Sequence, residues 1–87
     1  MDHAIAKKYA KFGLREEDTE YLDPEAWVNL DEIIRTLETT LKEPGIFQWM
    51  TRPNGYLEGR IPREVLAKKD VTKVREAAEA YVRGYFI

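Results

Sequence analysis

Apolar positions in the middle of the chain recur at the spacing of an amphipathic helix. Asp23 can cap the free N–H groups at the start of this helix, and Pro24 suits its first position. The following Pro44-Gly45 pair predicts that the helix ends near Glu43. The stripe has intervals of three and four residues and consists of Trp27, Leu30, Ile34, Leu37 and Leu41.

Shorter elements are predicted before this helix. Ile5, Tyr9 and Phe12 share one helical face, and Gly13 can end that first helix. Residues 15–22 are polar and acidic, which predicts a connector.

After the long helix, residues 46–51 form an apolar stretch long enough for one or two helical turns. Arg52 to Gly55 should break it, with a left-handed turn expected at Asn54-Gly55. Asn-Gly can also signal a β-hairpin, but no alternating strands flank it, so we reject a hairpin. Residues 56–61 are predicted to be a short irregular link.

Two further helices are predicted in the C-terminal part. Pro62 opens the first, and either Asp70 or Thr72 caps the second, which Gly84 ends. The stripe of the second consists of Val71, Val74, Ala78, Tyr81 and Val82. The pattern predicts an all-α fold, a small bundle of four to five helices. We expect an N-terminal helical arm with an acidic connector in residues 1–22 and a helical domain in residues 23–87.

Composition argues against an enzyme. The 87 residues include one His and no Cys, and the sequence contains no Ser. This excludes a disulfide framework, a Cys or Ser nucleophile and a His-based metal cage. The carboxylates lack metal-binding or acid–base spacing, and no phosphate-binding loop or dinucleotide fingerprint is found, so we predict no cofactor. Because no apolar run suits a transmembrane helix or a secretion signal, a cytoplasmic protein is expected.

The net charge of −2 conceals an uneven distribution. Residues 15–43 carry three positive and ten negative side chains, whereas residues 44–87 carry eight positive and five negative ones. One interpretation is two solvated faces that attract each other weakly. The other is that the basic half faces an acidic partner surface or a phosphate-bearing ligand.

Aromatic residues raise the question of core or interface. Trp27 and Trp49 lie in helical segments and are predicted to be core residues. The C-terminal Tyr85-Phe86-Ile87 segment, hereafter the tail, either folds back onto the domain or inserts into a partner, and the sequence leaves both open. Arg83 precedes the tail, and Arg and aromatic residues dominate interface hot spots.

A fixed pattern of residues lies between positions 47 and 66. Its architectural roles follow from residue type. Trp49 packs a short helix, Pro53-Asn54 turns the chain, Leu57 returns to the core, Gly59 gives steric room, and Pro62 starts the next helix. With Met50 and Leu66, these positions resemble the signature of the toxin-binding domain of the MbcA/ParS/Xre antitoxin family, and the resemblance covers about residues 30–84.

The resemblance implies a partner. Antitoxins of this family bind and neutralise RES-domain toxins, which consume NAD⁺, and their C-terminal part covers the toxin's active site. Carried over to this sequence, the occluding element is Arg83, Gly84 and the tail, with Arg52, Arg60 and Arg63 as flanking contacts. The active site of such a toxin binds the phosphates of NAD⁺, so an anionic group would suit it best. An occluding Arg would instead need an acidic group on the toxin. Charge alone therefore does not decide which contact forms.

Two departures from the family pattern matter. Family antitoxins usually carry a helix-turn-helix region before this domain, but the acidic residues 15–43 do not suit phosphate binding. We therefore expect no DNA binding unless a homodimer presents Lys7, Lys8 and Lys11 together. The Gly usual between the last two helices is replaced by Lys68-Lys69-Asp70. Alternatives are a stand-alone or phage-encoded regulatory protein that uses this domain on another target, and a small nucleic-acid binder.

Overall fold

The computed structural model describes residues 8–20 and 22–84. No strand forms within these ranges, and the prediction of an all-α fold is confirmed. Ile5 and the tail lie outside the described residues. Residues 8–10 are helical, and the further elements are α1 (Glu16–Thr19), α2 (Pro24–Glu38), α3 (Glu43–Thr51), a 3₁₀ helix (Gly55–Leu57), α4 (Pro62–Ala67) and α5 (Val71–Val82).

The long helix α2 starts as predicted but ends earlier. The Asp23 carboxylate accepts a hydrogen bond of 2.8 Å from the backbone N–H of Ala26. The helix stops at Glu38, where the Thr39 hydroxyl donates to the carbonyl of Thr36 over 2.6 Å. Such local side-chain bonds compete with helix continuation. The chain therefore turns five residues before the predicted end.

Pro44 lies in the first turn of α3, so the prediction that Pro44-Gly45 terminates a helix was wrong in its direction. A proline ring costs nothing at a first turn, because the missing N–H would have no partner there. The same residue type that stops one helix thus starts the next. The predicted turns over residues 46–51 are confirmed as part of this nine-residue helix.

A shared core joins the elements. Helices α2 and α5 make the most extensive contact between any two elements, and α4 and the 3₁₀ helix also pack on α5. The fully buried positions include most of the predicted stripes as well as the signature residues Met50, Leu57 and Leu66. Trp49 is buried, whereas Trp27 is half-buried and packs on the Tyr9 ring with 5.6 Å between ring centroids.

The acidic segment that was predicted as a connector contains the helix α1. The Asp18 side chain is fully buried, and its carboxylate accepts hydrogen bonds from the backbone N–H of Arg15 (2.8 Å) and from the Arg15 guanidinium (2.9 and 3.0 Å). The hydrogen bond to Asp18 raises the pKa of the Arg15 side chain. Leu14 and Leu22 are buried on either side. The polar composition of residues 15–22 predicted a connector and gave no indication of these buried side chains.

The N-terminal segment docks closely onto α3. Gly13 has φ +85°, and a Cβ atom there would lie 2.8 Å from Cγ2 of Thr51 and 3.3 Å from the carbonyl oxygen of Phe47. Tyr9 and Phe12 belong to the same core cluster as the helices of residues 23–84. Gly13 therefore supplies both the left-handed turn and the close approach.

The link after α3 turns by a different device from the one predicted. Asn54 is extended at φ −122°, and its side-chain oxygen accepts a 2.9 Å hydrogen bond from the N–H of Tyr56. Positive φ values occur instead at Glu58 (59°) and Gly59 (85°). A Cβ at Gly59 would meet nothing within 4 Å, so Gly59 serves the turn and not, as predicted, steric room.

The turn between α4 and α5 contains a left-handed residue, although the chain has no glycine there. Lys69 adopts φ +67°, a left-handed conformation that glycine adopts more easily. Asp70 occupies the N-cap position of α5 but its side chain makes no capping hydrogen bond. Pro62 opens α4 and Gly84, at φ +82°, follows the end of α5, as predicted.

Candidate partner-binding site

A groove of about 370 Å³ runs between α3 and α5 and is open to solvent. Trp49 of α3 and Tyr81 of α5 form its aromatic wall, with their rings edge to face and 6.5 Å between centroids. Leu41 and Ala77 add apolar surface. Sequence reasoning assigned Trp49 and Tyr81 to helical stripes but did not bring them together, because their facing depends on how α3 and α5 pack.

Arg52 lies at the rim of this groove. It is the residue after the last turn of α3, and its side chain is exposed. Within the described part of the chain it makes no ion pair or side-chain hydrogen bond. Of the three predicted flanking arginines, Arg52 is therefore the one that lines the groove, and its guanidinium is not paired with any described residue.

Arg60 lies at a second, smaller hollow of about 280 Å³ on the other side of Pro53. Its Nε donates a 3.2 Å hydrogen bond to the carbonyl of Leu57, and its backbone carbonyl accepts one from the N–H of Asn54 (3.0 Å). These bonds hold the loop closed. Glu64 lines the same hollow, so the Arg60 charge there has an acidic neighbour.

Arg63 faces the N-terminal segment. Its Nη1 donates a 3.2 Å hydrogen bond to the carbonyl of Gly13, across 50 positions of sequence. Its Nε atom is buried and has no hydrogen-bond partner in the part of the chain that the structure describes. The structure thus places this predicted contact residue where it joins two parts of the fold.

Arg83 and Gly84 lie at the exposed end of α5. The Arg83 guanidinium is 4.0 Å from the Glu79 carboxylate, at the limit of an ion pair, and 64% of its side chain is exposed. Such pairs contribute little to stability. Tyr85, Phe86 and Ile87, the rest of the predicted occluding element, lie outside the described residues. Arg52, Arg60 and Arg63 thus have different surroundings, and Arg83 directly follows α5.

The acidic and basic parts of the chain meet at Arg75 of α5. Its guanidinium pairs with Glu32 (3.0 Å) and Glu79 (3.2 Å) and donates a 3.0 Å hydrogen bond to the side chain of Asn29. Part of the charge asymmetry found in the sequence is thus neutralised where α2 packs on α5.

No helix in the described ranges is long and apolar enough to cross a membrane.

The site offers binding chemistry. Among residues 8–20 and 22–84, no group of three or more metal-ligating side chains could hold a metal ion. What the groove presents is an indole, a phenol ring, a guanidinium and the amides of Gln48 and Asn54. Trp, Tyr and Arg are the side chains that most often carry the binding energy of protein interfaces.

Comparison with known proteins points to an antitoxin. The chain is 33% identical over 58 residues to a protein of Mycobacterium tuberculosis described as a probable mycobacterial cidal antitoxin. The match covers 67% of this chain, and the chain spans about half (50%) of the length of that relative. No family model matches the sequence, and no solved structure gives a significant match. The similarity supports a relationship to antitoxins.

Proposed function

We propose that this protein is an antitoxin that neutralises a RES-domain, NAD⁺-consuming toxin in the cytoplasm. In this proposal α5 and the tail cover the active site of the toxin. The observation that carries the antitoxin role is the similarity to the mycobacterial antitoxin. The RES-domain partner is inferred from the signature between residues 47 and 66.

The end of α5 supports the covering element. Gly84 turns the chain out of the helix at φ +82°, and Arg83 beside it is exposed. Because the contact of Arg83 with Glu79 spans 4.0 Å, an acidic group of the toxin can replace it at little energetic cost. The packing of α5 on α2 fixes the position of α5, so its C-terminal end would not need to rearrange when a partner binds.

The test is co-expression of the full chain with a RES-domain toxin encoded beside it, with growth and cellular NAD⁺ as readouts. The full chain should restore both. Deletion of residues 85–87 should abolish the protection while lowering the melting temperature little. Arg35→Ala, at an exposed position of α2 with only an i,i+4 ion pair to Asp31, is the matched control and should protect fully.

Two results would contradict the proposal. One is a toxin that keeps consuming NAD⁺ inside a stable complex with the full chain. The other is a tail deletion that lowers the melting temperature as much as it lowers protection, because a tail that acts only in the protein's own core would produce that result.

A further inference from the structure

The groove between α3 and α5 has the features of a second contact for the partner. We propose that it binds a peptide segment of the partner protein in which a carboxylate side chain neighbours an aliphatic or aromatic one. The inference rests on the proposed function in one respect, that the protein has a protein partner. It does not depend on the tail or on the toxin's chemistry.

Charge at the groove selects the carboxylate. Among the described residues, Arg52 at the rim has no ion-pair or hydrogen-bond partner for its side chain, and those that line the groove include no acidic side chain. An uncompensated guanidinium next to a low-dielectric wall attracts an anion and can bind a carboxylate with two parallel hydrogen bonds. Nucleic acid is disfavoured, because phosphate backbones need several clustered cations, and Arg52 is the single cationic side chain among the described residues that line the groove.

The apolar wall selects the neighbouring side chain. Trp49 is only 8% exposed, yet it lines the groove together with the half-buried Tyr81 and Leu41. The groove volume of about 370 Å³ is near the lower end of the range of ligand pockets, roughly 300–1,000 Å³, and suits one or two side chains.

The Trp49 indole provides a second, independent observation. Its Nε1 atom is buried and has no hydrogen-bond acceptor among residues 8–20 and 22–84. Buried donors are nearly always paired, so the missing acceptor calls for an explanation. Because this atom is covered, a bound peptide reaches it only when the indole ring moves, and a backbone carbonyl of the peptide can then supply the acceptor.

The groove is also positioned to act with the end of α5. Tyr81, in its wall, lies two residues before Arg83, which directly follows the last residue of α5. At this spacing the two side chains point to different sides of the helix, but both lie within its last turn. A segment held there would orient the partner and would not itself block an active site.

The test begins with selection of random twelve-residue peptides displayed on phage against the full chain. Peptides that pair Asp or Glu with Leu, Phe or Trp should be enriched. A selected synthetic peptide should shift the indole N–H resonance of Trp49 and leave that of Trp27 in place. Arg52→Glu should weaken its binding at least about tenfold.

Two controls make the charge argument specific. Replacing the acidic residue of the peptide with Lys should restore binding to Arg52→Glu. Lys68→Glu makes the same change of charge at an exposed position that lines the other hollow, and it should leave the affinity unchanged. Circular dichroism of both variants confirms that they fold, as expected for exposed positions.

Four outcomes would overturn the proposal. The first is no enrichment, and the second is enrichment of peptides without a carboxylate. The third is peptide affinity that rises about tenfold or more on deletion of residues 85–87, which would assign the groove to the protein's own tail. The fourth is a concentration-dependent dimer that Arg52→Glu dissolves, which would assign it to a second copy. If the full chain binds the selected peptide but does not protect cells from the toxin, that result would count against the proposed function alone.

Discussion

The N-terminal segment and the groove differ in how they use their polar groups. In the segment, the buried Asp18 carboxylate is paired with Arg15, and the carbonyl of Gly13 accepts from Arg63. At the groove, Arg52 makes no contact of this kind and the Trp49 indole N–H has no acceptor among the described residues. The buried Nε of Arg63 lacks a partner in the same ranges. Polar groups that are satisfied within the fold stabilise it, whereas an exposed guanidinium without a partner, such as that of Arg52, can pair with another molecule.

This comparison sorts the arginines that the sequence grouped together. Arg63 and Arg60 donate to backbone carbonyls of their own chain, and Arg52 and Arg83 present exposed guanidinium groups. Arg60 is exposed as well. In our proposal the first pair therefore supports the fold through these bonds, and the second pair is available for binding. Three predictions break or sharpen this division, beginning with the one expected to affect stability most.

Gly13→Ala should destabilise the protein most. Both Gly13 and Gly59 have φ +85°, so an alanine at either site costs about 1–3 kcal/mol of backbone strain. Only Gly13 also meets a neighbour, Cγ2 of Thr51 at 2.8 Å, whose hydroxyl is held by a 2.8 Å bond to the Phe47 carbonyl. The free energy of unfolding, measured with urea, should therefore fall further for Gly13→Ala than for Gly59→Ala.

A double variant tests the cause of that difference. Thr51→Ser removes the methyl group and keeps the hydroxyl, so it should rescue Gly13→Ala by most of the excess over Gly59→Ala. Equal losses of unfolding free energy for the two alanine variants, with no rescue by Thr51→Ser, would show that Gly13 does not make the close contact with Thr51 of α3.

Arg63→Met should cost an intermediate amount. It removes a charged hydrogen bond to the Gly13 carbonyl while keeping much of the side chain's apolar length, for a loss of about 1–2 kcal/mol. Arg52→Met, at an exposed position without such a bond, should change stability by less than about 0.5 kcal/mol. Thermal unfolding of both variants checks the division, and a larger loss for Arg52→Met would reverse it.

The smallest effect concerns Tyr9 and appears only at high pH. Burial, the charge of Asp31 and a 3.3 Å hydrogen bond to its carboxylate raise the pKa of Tyr9 above 10. The folded state then holds this proton more tightly than the unfolded state does. This contribution is complete below pH 10 and is lost as the pH rises through the folded-state pKa.

Urea unfolding across this pH range should therefore show a decline that is shallower in Tyr9→Phe. Part of the decline should remain, because burial and the nearby Glu76 also raise the pKa of Tyr56. An unchanged slope in Tyr9→Phe would mean that neither burial nor Asp31 raises the pKa of Tyr9 in solution.

Local signals predicted the helices that carry them. Asp23-Pro24 and Pro62 start α2 and α4 because capping and proline geometry act within a few residues. The end of α2 and the start of α3 were misplaced because Pro44 fits two interpretations that local sequence does not separate. The α1 helix was missed because an acidic run hides the buried Asp18, whose partner Arg15 precedes it by three positions.

The candidate site was less predictable, because it depends on distant pairs. The type of Arg63 suggested a binding residue, and only the contact with Gly13, 50 positions away, shows its structural use. Trp49 and Tyr81 belong to separate helical stripes, and the groove between them exists only after α3 and α5 pack. Residue type thus limited the candidate binding residues to a few side chains, and the packing of the helices shows which of them line the groove.

Arg75 has a consequence for the thermodynamics of binding. By contacting Asn29 and Glu32 of α2 and Glu79 of α5 at once, it adds polar contacts to the apolar packing that holds the two helices together. A helix held in this way loses little conformational entropy when a partner docks on its end or on Tyr81. For the partner that we propose, this arrangement predicts slow release, because preorganised contacts are expressed mainly in the dissociation rate.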